Sequence, residues 1–246
     1  MDKMLYVAMT GAHNNTLAQR AHANNLANIS TNGFRRDFEQ ARAMPIFGDG
    51  YPARVYAMSE RPGTDFTPGS MQETGRDLDV AVGGKGWLAV QAPDGGEAYV
   101  RTASLNIDSL GVLRTGNGLP VMGNAGPIAV PPEQKIEIGQ DGTISIRALG
   151  EGPSVLAEVD RLKLVNPDLK QMEKGSDGMI RYKGQEALLP DATVQVTSGF
   201  LESSNVNAVD EMTAILSLSR QFELQVKMMR TAEDNSSAMA RVLQMS

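Results

Sequence analysis

The first apolar positions of the chain recur at helical spacing. They follow alternating steps of four and three residues, which is the heptad pattern of helices that pack along a seam. We call this set the N-terminal stripe; its members are Leu5, Met9, Ala12, Thr16, Gln19, Ala23 and Leu26. Thr16 and Gln19 weaken the stripe because they are polar. The run that ends in Asn32-Gly33 stops the predicted helix, since glycine accommodates a positive φ.

The other end of the chain carries a longer stripe with the same three-four step. The members of this C-terminal stripe are Met212, Ile215, Ser219, Phe222, Val226, Met229, Glu233, Ser236, Ala240 and Leu243. Asp210 and Glu211 suit the positive end of a helix dipole, and Arg241 suits the negative end. The pattern therefore predicts a second helix over about residues 207–243.

The lengths of these helices bear on what they bind. At 1.5 Å per residue the C-terminal helix would be roughly 55 Å long, and the N-terminal helix roughly 35–40 Å. A helix that long exceeds the width of a small β domain, so its apolar stripe needs another helix. An intramolecular hairpin of the two helices and a larger bundle built from several subunits both satisfy that need.

The middle of the chain is rich in proline, glycine and short β-prone runs instead of helical patterns. All 12 prolines lie between Pro45 and Pro190, and no glycine follows Gly199. Short β-prone runs recur between residues 70 and 198: Leu78–Val82, Trp87–Gln91, Ala98–Thr102, Gly111–Arg114, Ile136–Ile138, Thr143–Arg147, Arg161–Val165 and Thr193–Thr197. The pairs Asp94-Gly95, Asp141-Gly142 and Asp177-Gly178 are typical of the turns between strands. Strands without long helices between them favour an antiparallel domain.

The sequence therefore predicts an α+β fold, in which the N- and C-terminal helices pair as an inner coiled coil and a central antiparallel β-rich domain lies outside it. We expect three regions. Residues 1–69 form an N-terminal helix and linker, residues 70–198 form the β domain, and residues 199–246 form the C-terminal helix.

Composition narrows the possible partners. The net charge of −6 and the lack of a dense basic cluster argue against nucleic acid. The absence of cysteine excludes disulfides and thiol chemistry. No run approaches the roughly 18 apolar residues that a membrane span needs. The N-terminus has no clear basic region or cleavage site, so we interpret it as the start of a helix instead of a signal peptide.

The sequence contains no recognisable catalytic motif. His13 and His22 are its only histidines, and nine helical steps of 100° place them on opposite faces of one helix. No nucleophile elbow occurs, and Gly83–Gly86 lacks the spacing of a phosphate loop. We therefore predict a chain without catalytic activity, cofactor or metal.

Several segments form an ordered set of motifs. They are Ala23–Asn28 (Ala-Asn-Asn-Leu-Ala-Asn), Ser30–Arg35, Leu78–Val82 with Gly84–Trp87, Tyr99–Arg101, Leu201–Asn207 and Arg220–Glu223. In this order they resemble the signatures of the flagellar rod and hook protein family. Within that family the opening residues 1–12, Gly50–Tyr56 and Asn205–Met212 resemble the subunits of the proximal rod.

The resemblance implies a function. It implies a structural subunit of the flagellar basal-body proximal rod, which self-assembles through its terminal helices into the shaft that transmits torque. The implied partners are copies of itself, other rod proteins and the flagellar export apparatus, with no nucleic acid and no membrane insertion. The implied location is the periplasmic rod, reached by export without a cleaved signal peptide. A distal rod protein of the same family and a helix-binding adaptor that never polymerises are the alternatives.

We predict an assembly interface on the terminal helices and the motifs beside them. Its residues are Leu5, Met9, Ala12, Asn24, Asn25, Leu26, Asn28, Asn205, Val206, Asn207, Met212, Ile215, Phe222, Val226 and Met229. The asparagines near Leu26 suit hydrogen bonds across a helix seam, or else a solvated helix end. Asn205 and Asn207 suit the N-cap of the long helix.

Trp87 is the only tryptophan of an aromatic-poor chain. An indole buries a large apolar area, so Trp87 anchors either the core of the β domain or a lateral contact between subunits.

Overall fold

The computed structural model describes residues 4–38, 41–45, 55–59, 63–148, 156–184 and 187–244. It confirms the α+β class, with one helix at each end and a central antiparallel β-rich region. Backbone contacts divide the chain into two compact units. Unit 1 contains the described residues within 1–29, 35–65 and 206–246, and unit 2 contains those within 30–34 and 66–205.

The described residues of unit 1 form both helices and two short pairs of antiparallel strands. Helix α1 spans Met4–Ala27 and contains the whole N-terminal stripe, and helix α2 spans Ala208–Gln244, within one residue of the predicted 207–243. Its strands are β1 (Asp37–Phe38), β2 (Ala41–Pro45), β3 (Val55–Ser59) and β4 (Gly63–Thr64), with β1 paired to β4 and β2 paired to β3. The predicted motif at Gly50–Tyr56 lies mostly outside the described residues, as do Met1, Asp2 and Lys3 of the opening motif.

Fourteen strands lie in the described residues of unit 2. They are β5 (Met71–Glu73), β6 (Asp79–Gly83), β7 (Trp87–Gln91), β8 (Glu97–Val100), β9 (Thr102–Ile107), β10 (Leu113–Thr115), β11 (Glu133–Ile138), β12 (Thr143–Ala148), β13 (Ala157–Arg161), β14 (Leu164–Val165), β15 (Met172–Lys174), β16 (Ile180–Tyr182), β17 (Gln195–Ser198) and β18 (Phe200–Glu202). Each of the eight predicted strand segments overlaps at least one of them.

The strands of unit 2 form three sheets and one isolated pair. The sheet orders are β10-β9-β6-β17, β14-β7-β8-β16-β15 and β11-β12-β13, and β18 pairs with β5. The pairings described are antiparallel, as expected for strands joined by short turns. Between the sheets lies an aliphatic core that includes Val80, Leu88, Leu105 and Ile144.

The predicted Asp-Gly turns share one local device. In each turn the aspartate Oδ1 accepts a hydrogen bond from the backbone N–H two residues later, at 3.0 Å for Asp94, 3.2 Å for Asp141 and 3.1 Å for Asp177. The glycine that follows the aspartate has a φ near +80°, a conformation that is unfavourable for residues with a Cβ atom. This pairing of side-chain acceptor and free glycine backbone explains why the turns were recognisable in the sequence.

Trp87 lies in the core of unit 2. It is 2% exposed and packs with Tyr99, Val165 and Met172. The Phe66 ring meets it edge to face at 5.8 Å between centroids. The core interpretation is therefore confirmed.

Replacing Trp87 with alanine should lower the free energy of unfolding of unit 2 by roughly 3–5 kcal/mol, because the indole leaves a large cavity. Chemical denaturation followed by β-sheet circular dichroism measures this loss. In the parent chain, Trp87 emission should be at short wavelength and move to the red only on unfolding. Emission typical of an exposed indole in the folded chain would contradict the burial.

A buried ion pair joins distant parts of unit 2. Arg101 Nε donates to Glu202 Oε2 at 3.0 Å, and its two Nη atoms donate to the carbonyls of Gly86 and Val82. The other carboxylate oxygen of Glu202 accepts the backbone N–H of Gly69 at 2.9 Å. Both charged side chains are buried, so the pair holds β18 against the body of the unit.

Candidate assembly interface

Helices α1 and α2 pack side by side in opposite directions. His22 Nδ1, near the end of α1, lies 2.5 Å from Oε2 of Glu211, in the first turn of α2. Nearer the start of α1, a Cβ placed on Gly11 would lie 2.9 Å from the side chain of Gln225. Residues later in α1 therefore contact residues earlier in α2, which makes the pair antiparallel.

Small and polar residues line the seam between the two helices. Ala8 and Gly11 of α1 permit close approach, and the facing positions of α2 include Gln225 and the buried Ala232. A groove of about 380 Å³ opens along one side of this seam. Its lining residues are Asn14, Asn15, Ala18, His22, Ala214, Ser217, Leu218 and Gln221. The intramolecular contact therefore uses few of the large apolar residues on either helix.

Asn25 ties three elements together. Its side-chain amide donates to the Asp37 carbonyl of β1 at 2.7 Å and to Glu211 Oε2 at 3.2 Å, and its Oδ1 accepts the Asp37 backbone N–H at 2.9 Å. It is 1% exposed, and Glu211 is buried beside it. These hydrogen bonds form only when α1, α2 and β1 are aligned as they are here. The buried side chain therefore fixes the register of the two helices, because a shift of one helix along the other would leave its polar groups unpaired.

The two predicted stripes are displaced from this seam. At 100° per residue, the N-terminal stripe lies roughly 100° around α1 from the seam positions, and the C-terminal stripe roughly 80° around α2 in the same rotational sense. In an antiparallel pair, faces that are displaced from the seam by rotation in the same sense, each viewed along its own helix, lie on the same side of the pair. The stripes therefore share one side of the pair, opposite the groove.

The predicted interface residues differ in burial. Leu5, Met9, Met212 and Phe222 are exposed, and Asn24 and Asn207 are exposed as well. Six are half-buried on the helices or next to them: Leu26, Asn28, Val206, Ile215, Val226 and Met229. Ala12 and Asn25 are buried, and Asn205 is half-buried in unit 2, where its amide donates to the Thr67 carbonyl.

Asn207 caps α2. Its Oδ1 accepts the N–H of Val209 at 3.0 Å, and its carbonyl accepts the N–H of Glu211 at 3.1 Å, the first bond of the helix. This arrangement satisfies an N–H that the helix itself leaves unpaired.

Helix α2 is longer than its intramolecular partner. Continuing the register set by Gly11 and Gln225 brings Met4 opposite about Ala232. From residue 233 to residue 242 every side chain is exposed, including Met239 and Val242. The last three turns of α2 therefore run past the described part of α1.

Sequence reasoning missed the seam itself. Gly11, Ala18 and His22 are not members of the N-terminal stripe, and Glu211 was interpreted only through the helix dipole. The α1 residues belong to a second heptad set, most of whose members are small or polar: Met4, Ala8, Gly11, Asn15, Ala18 and His22. Hydropathy alone does not detect it, because alanine, glycine and asparagine are weakly apolar or polar.

Comparison with known families places these features. Residues 197–242 match the model of the flagellar basal body rod FlgEFG protein C-terminal region, which includes most of α2. Residues 81–146 match the flagellar hook protein FlgE/F/G D1 domain, which covers β7–β11 and most of β12. The class of protein is thus that of the structural hook and rod proteins of the flagellum.

Individual relatives narrow this class. The chain is 44% identical to the flagellar basal-body rod protein FlgF of Escherichia coli K12 and 40% identical to that of Salmonella typhimurium LT2, over the full length of both chains in each case. It is 29% identical to the flagellar basal-body rod protein FlgG of Bacillus subtilis, over 95% of this chain and 96% of that one. The chain belongs to the family of flagellar basal-body rod proteins.

This membership settles the broad function. The members are structural proteins of the rod, so the prediction of a non-enzymatic structural subunit in the flagellar basal body is confirmed. Within the described ranges, no helix has the length and apolar character to cross a membrane.

Proposed function

We propose that this chain builds the proximal rod by assembling, through its two terminal helices, with copies of itself and with other rod proteins. In this proposal residues 1–69 and 199–246 form the inner assembly region, and residues 70–198 form the outer domain. The inner helices give the shaft its stiffness, and the shaft transmits torque. Heterologous stacking of such subunits gives an open helical assembly without closed symmetry.

One observation carries the proposal. The larger apolar side chains of both stripes face one side of the helix pair, whereas small and polar residues occupy the seam between the helices. A helix pair built to be stable alone would place its leucines, methionines and phenylalanine inside. An apolar stripe left on one side of such a pair is the usual complement of a helix from another subunit.

Two further features support assembly through unit 1. The last three turns of α2 extend past their intramolecular partner and keep Met239 and Val242 exposed. Acidic and basic residues balance in the sequence segments of unit 1, so that the net charge of −6 falls on unit 2. Bringing the helices of several subunits together then meets little net repulsion.

We further propose that the stripes form coiled-coil seams between subunits, because their three-four spacing is that of knobs packing into holes. Export through the flagellar export apparatus without a cleaved signal, and a periplasmic position, are proposed from the resemblance described above. The chain shares higher identity with proteins named FlgF than with one named FlgG, and the resemblance connects FlgF with the proximal rod, so we favour the proximal over the distal rod.

A pair of substitutions on α2 tests the interface. Met212→Asp adds a charge to the exposed stripe, and Ser217→Asp adds the same charge to the exposed groove side of the same helix. Burying an unpaired charge costs several kcal/mol, so Met212→Asp should reduce incorporation into basal bodies by more than about tenfold and abolish motility. Ser217→Asp should leave both nearly unchanged.

Circular dichroism of the isolated proteins provides the folding control. Both variants should unfold at the temperature of the parent, since both positions are exposed in the single chain. Motile cells carrying Met212→Asp would reject the stripe as an interface. A parent chain that binds the other rod proteins only in small complexes that do not grow, as judged by size distribution, would favour the adaptor.

A further inference from the structure

Methionine is the only sulfur chemistry available to this chain. The sequence has 14 methionines and no cysteine. Thiols are the usual targets of mild oxidants, and without them a peroxide reacts next with accessible thioethers. The single tryptophan is buried, which protects the other readily oxidised side chain.

Three described methionines are more than half exposed, and all lie on the helices of unit 1. Met9 of α1 is 52% exposed, and Met212 and Met239 of α2 are 51% and 69% exposed. Met9 and Met212 belong to the stripes on the shared side of the helix pair, and Met239 lies in the part of α2 that runs past α1. By contrast, Met172 in the core of unit 2 is 4% exposed.

Oxidation would make the side chains at these positions polar. A peroxide transfers one oxygen atom to the thioether sulfur: the O–O bond breaks, an S–O bond forms, the sulfur loses two electrons and water leaves. The product is methionine sulfoxide, in which a flexible apolar side chain has become polar. A sulfoxide in a packed apolar contact needs a hydrogen-bond partner that a methionine site does not supply.

We propose that Met9, Met212 and Met239 are oxidation sites of the unassembled chain, and that sulfoxide at these positions prevents it from joining a rod. The second part rests on the proposed function. Once a subunit has assembled, the same contacts that need the thioethers shield them. The sites thus make assembly sensitive to peroxide only before it occurs, and methionine sulfoxide reductases can reverse the block.

The first experiment tests the sites alone. The purified full chain is treated with hydrogen peroxide, and peptide mass spectrometry follows each methionine. Met9, Met212 and Met239 should oxidise at least about tenfold faster than Met172, since susceptibility follows exposure. The same treatment in denaturant should remove the difference. Equal rates in the folded chain would overturn the assignment of the sites.

The second experiment tests the consequence. Untreated and peroxide-treated chains are mixed with the other rod proteins, and the size distribution is measured. Treatment should remove most of the assembled fraction, and incubation with both sulfoxide reductases should restore it. A triple variant, Met9→Leu with Met212→Leu and Met239→Leu, should assemble like the parent and resist peroxide, because leucine has nearly the same volume.

A matched control comes from unit 2. Met71 is also exposed, on β5, so Met71→Leu removes one oxidisable side chain outside the helices. This variant should stay as sensitive to peroxide as the parent. Peroxide-treated parent that assembles normally, or a triple variant that loses assembly as the parent does, would overturn the proposal. If the untreated parent fails to assemble, the proposed function falls together with the second part, and the oxidation rates still decide the first.

Discussion

Replacing Arg101 with methionine should lower the free energy of unfolding of unit 2 by about 3–5 kcal/mol. The substitution keeps an unbranched apolar side chain in place of the arginine stem but removes the guanidinium. The buried carboxylate of Glu202, which is 0% exposed, then loses the charged hydrogen bond from Arg101 Nε, and the carbonyls of Gly86 and Val82 lose the bonds from the two Nη atoms. Thermal unfolding monitored by Trp87 emission should move down by about 10–20 °C for a unit of this size.

The matched control is Arg114→Met. Arg114 pairs with Asp108 at 2.7 Å in the same unit, but both side chains are partly solvated. Solvated pairs are worth up to about 1 kcal/mol, so this variant should unfold only slightly below the parent. Glu202→Gln is the complementary change, since it keeps an acceptor for Gly69 and removes the charge. If Arg101→Met unfolds no earlier than Arg114→Met, the buried pair is not what holds β18.

The partnership of Arg101 and Glu202 illustrates what the sequence does not reveal. Both residues stand within motifs that were recognised, Tyr99–Arg101 and Leu201–Asn207. The second motif was explained locally, as a source of helix caps, and that explanation holds for Asn207. Nothing local relates it to an arginine about 100 residues earlier, because ion pairs between distant segments depend on the sheet topology that joins them.

Local patterns succeeded where local physics decides the structure. The bounds of α1 and α2 follow from helical periodicity and from the absence of proline and glycine, and the Asp-Gly turns follow from a side-chain acceptor beside a flexible residue. The size of the indole predicted that Trp87 is an anchor of either the core or a lateral contact, and the structure places it in the core. These are properties of short windows of sequence.

The contact between α1 and α2 could not be predicted from short windows of sequence. Periodicity located the apolar stripes, but it does not say whether a stripe faces its own chain or another. The contact between α1 and α2 uses Gly11, Ala8 and His22, whose common property is small size or polarity, and close approach compensates for the missing apolar area. Whether the apolar stripes are the assembly interface stays a prediction that Met212→Asp and Ser217→Asp decide.

Asn25→Asp should disrupt the pairing of the two helices while leaving unit 2 intact. The change is nearly isosteric, but it replaces the amide donor with a carboxylate oxygen beside Glu211 Oε2 and the Asp37 carbonyl. A buried like-charge contact together with two lost donors costs several kcal/mol at the place where the two helices meet. Helical circular dichroism should fall, whereas Trp87 emission and its unfolding transition should stay at the parent values.

Asn24→Asp is the control, because it adds the same charge one residue earlier at an exposed position. It should keep the helical signal and motility. Motile cells with parent-like helical signal at neutral pH would show that Asn25 does not set the register of the pair.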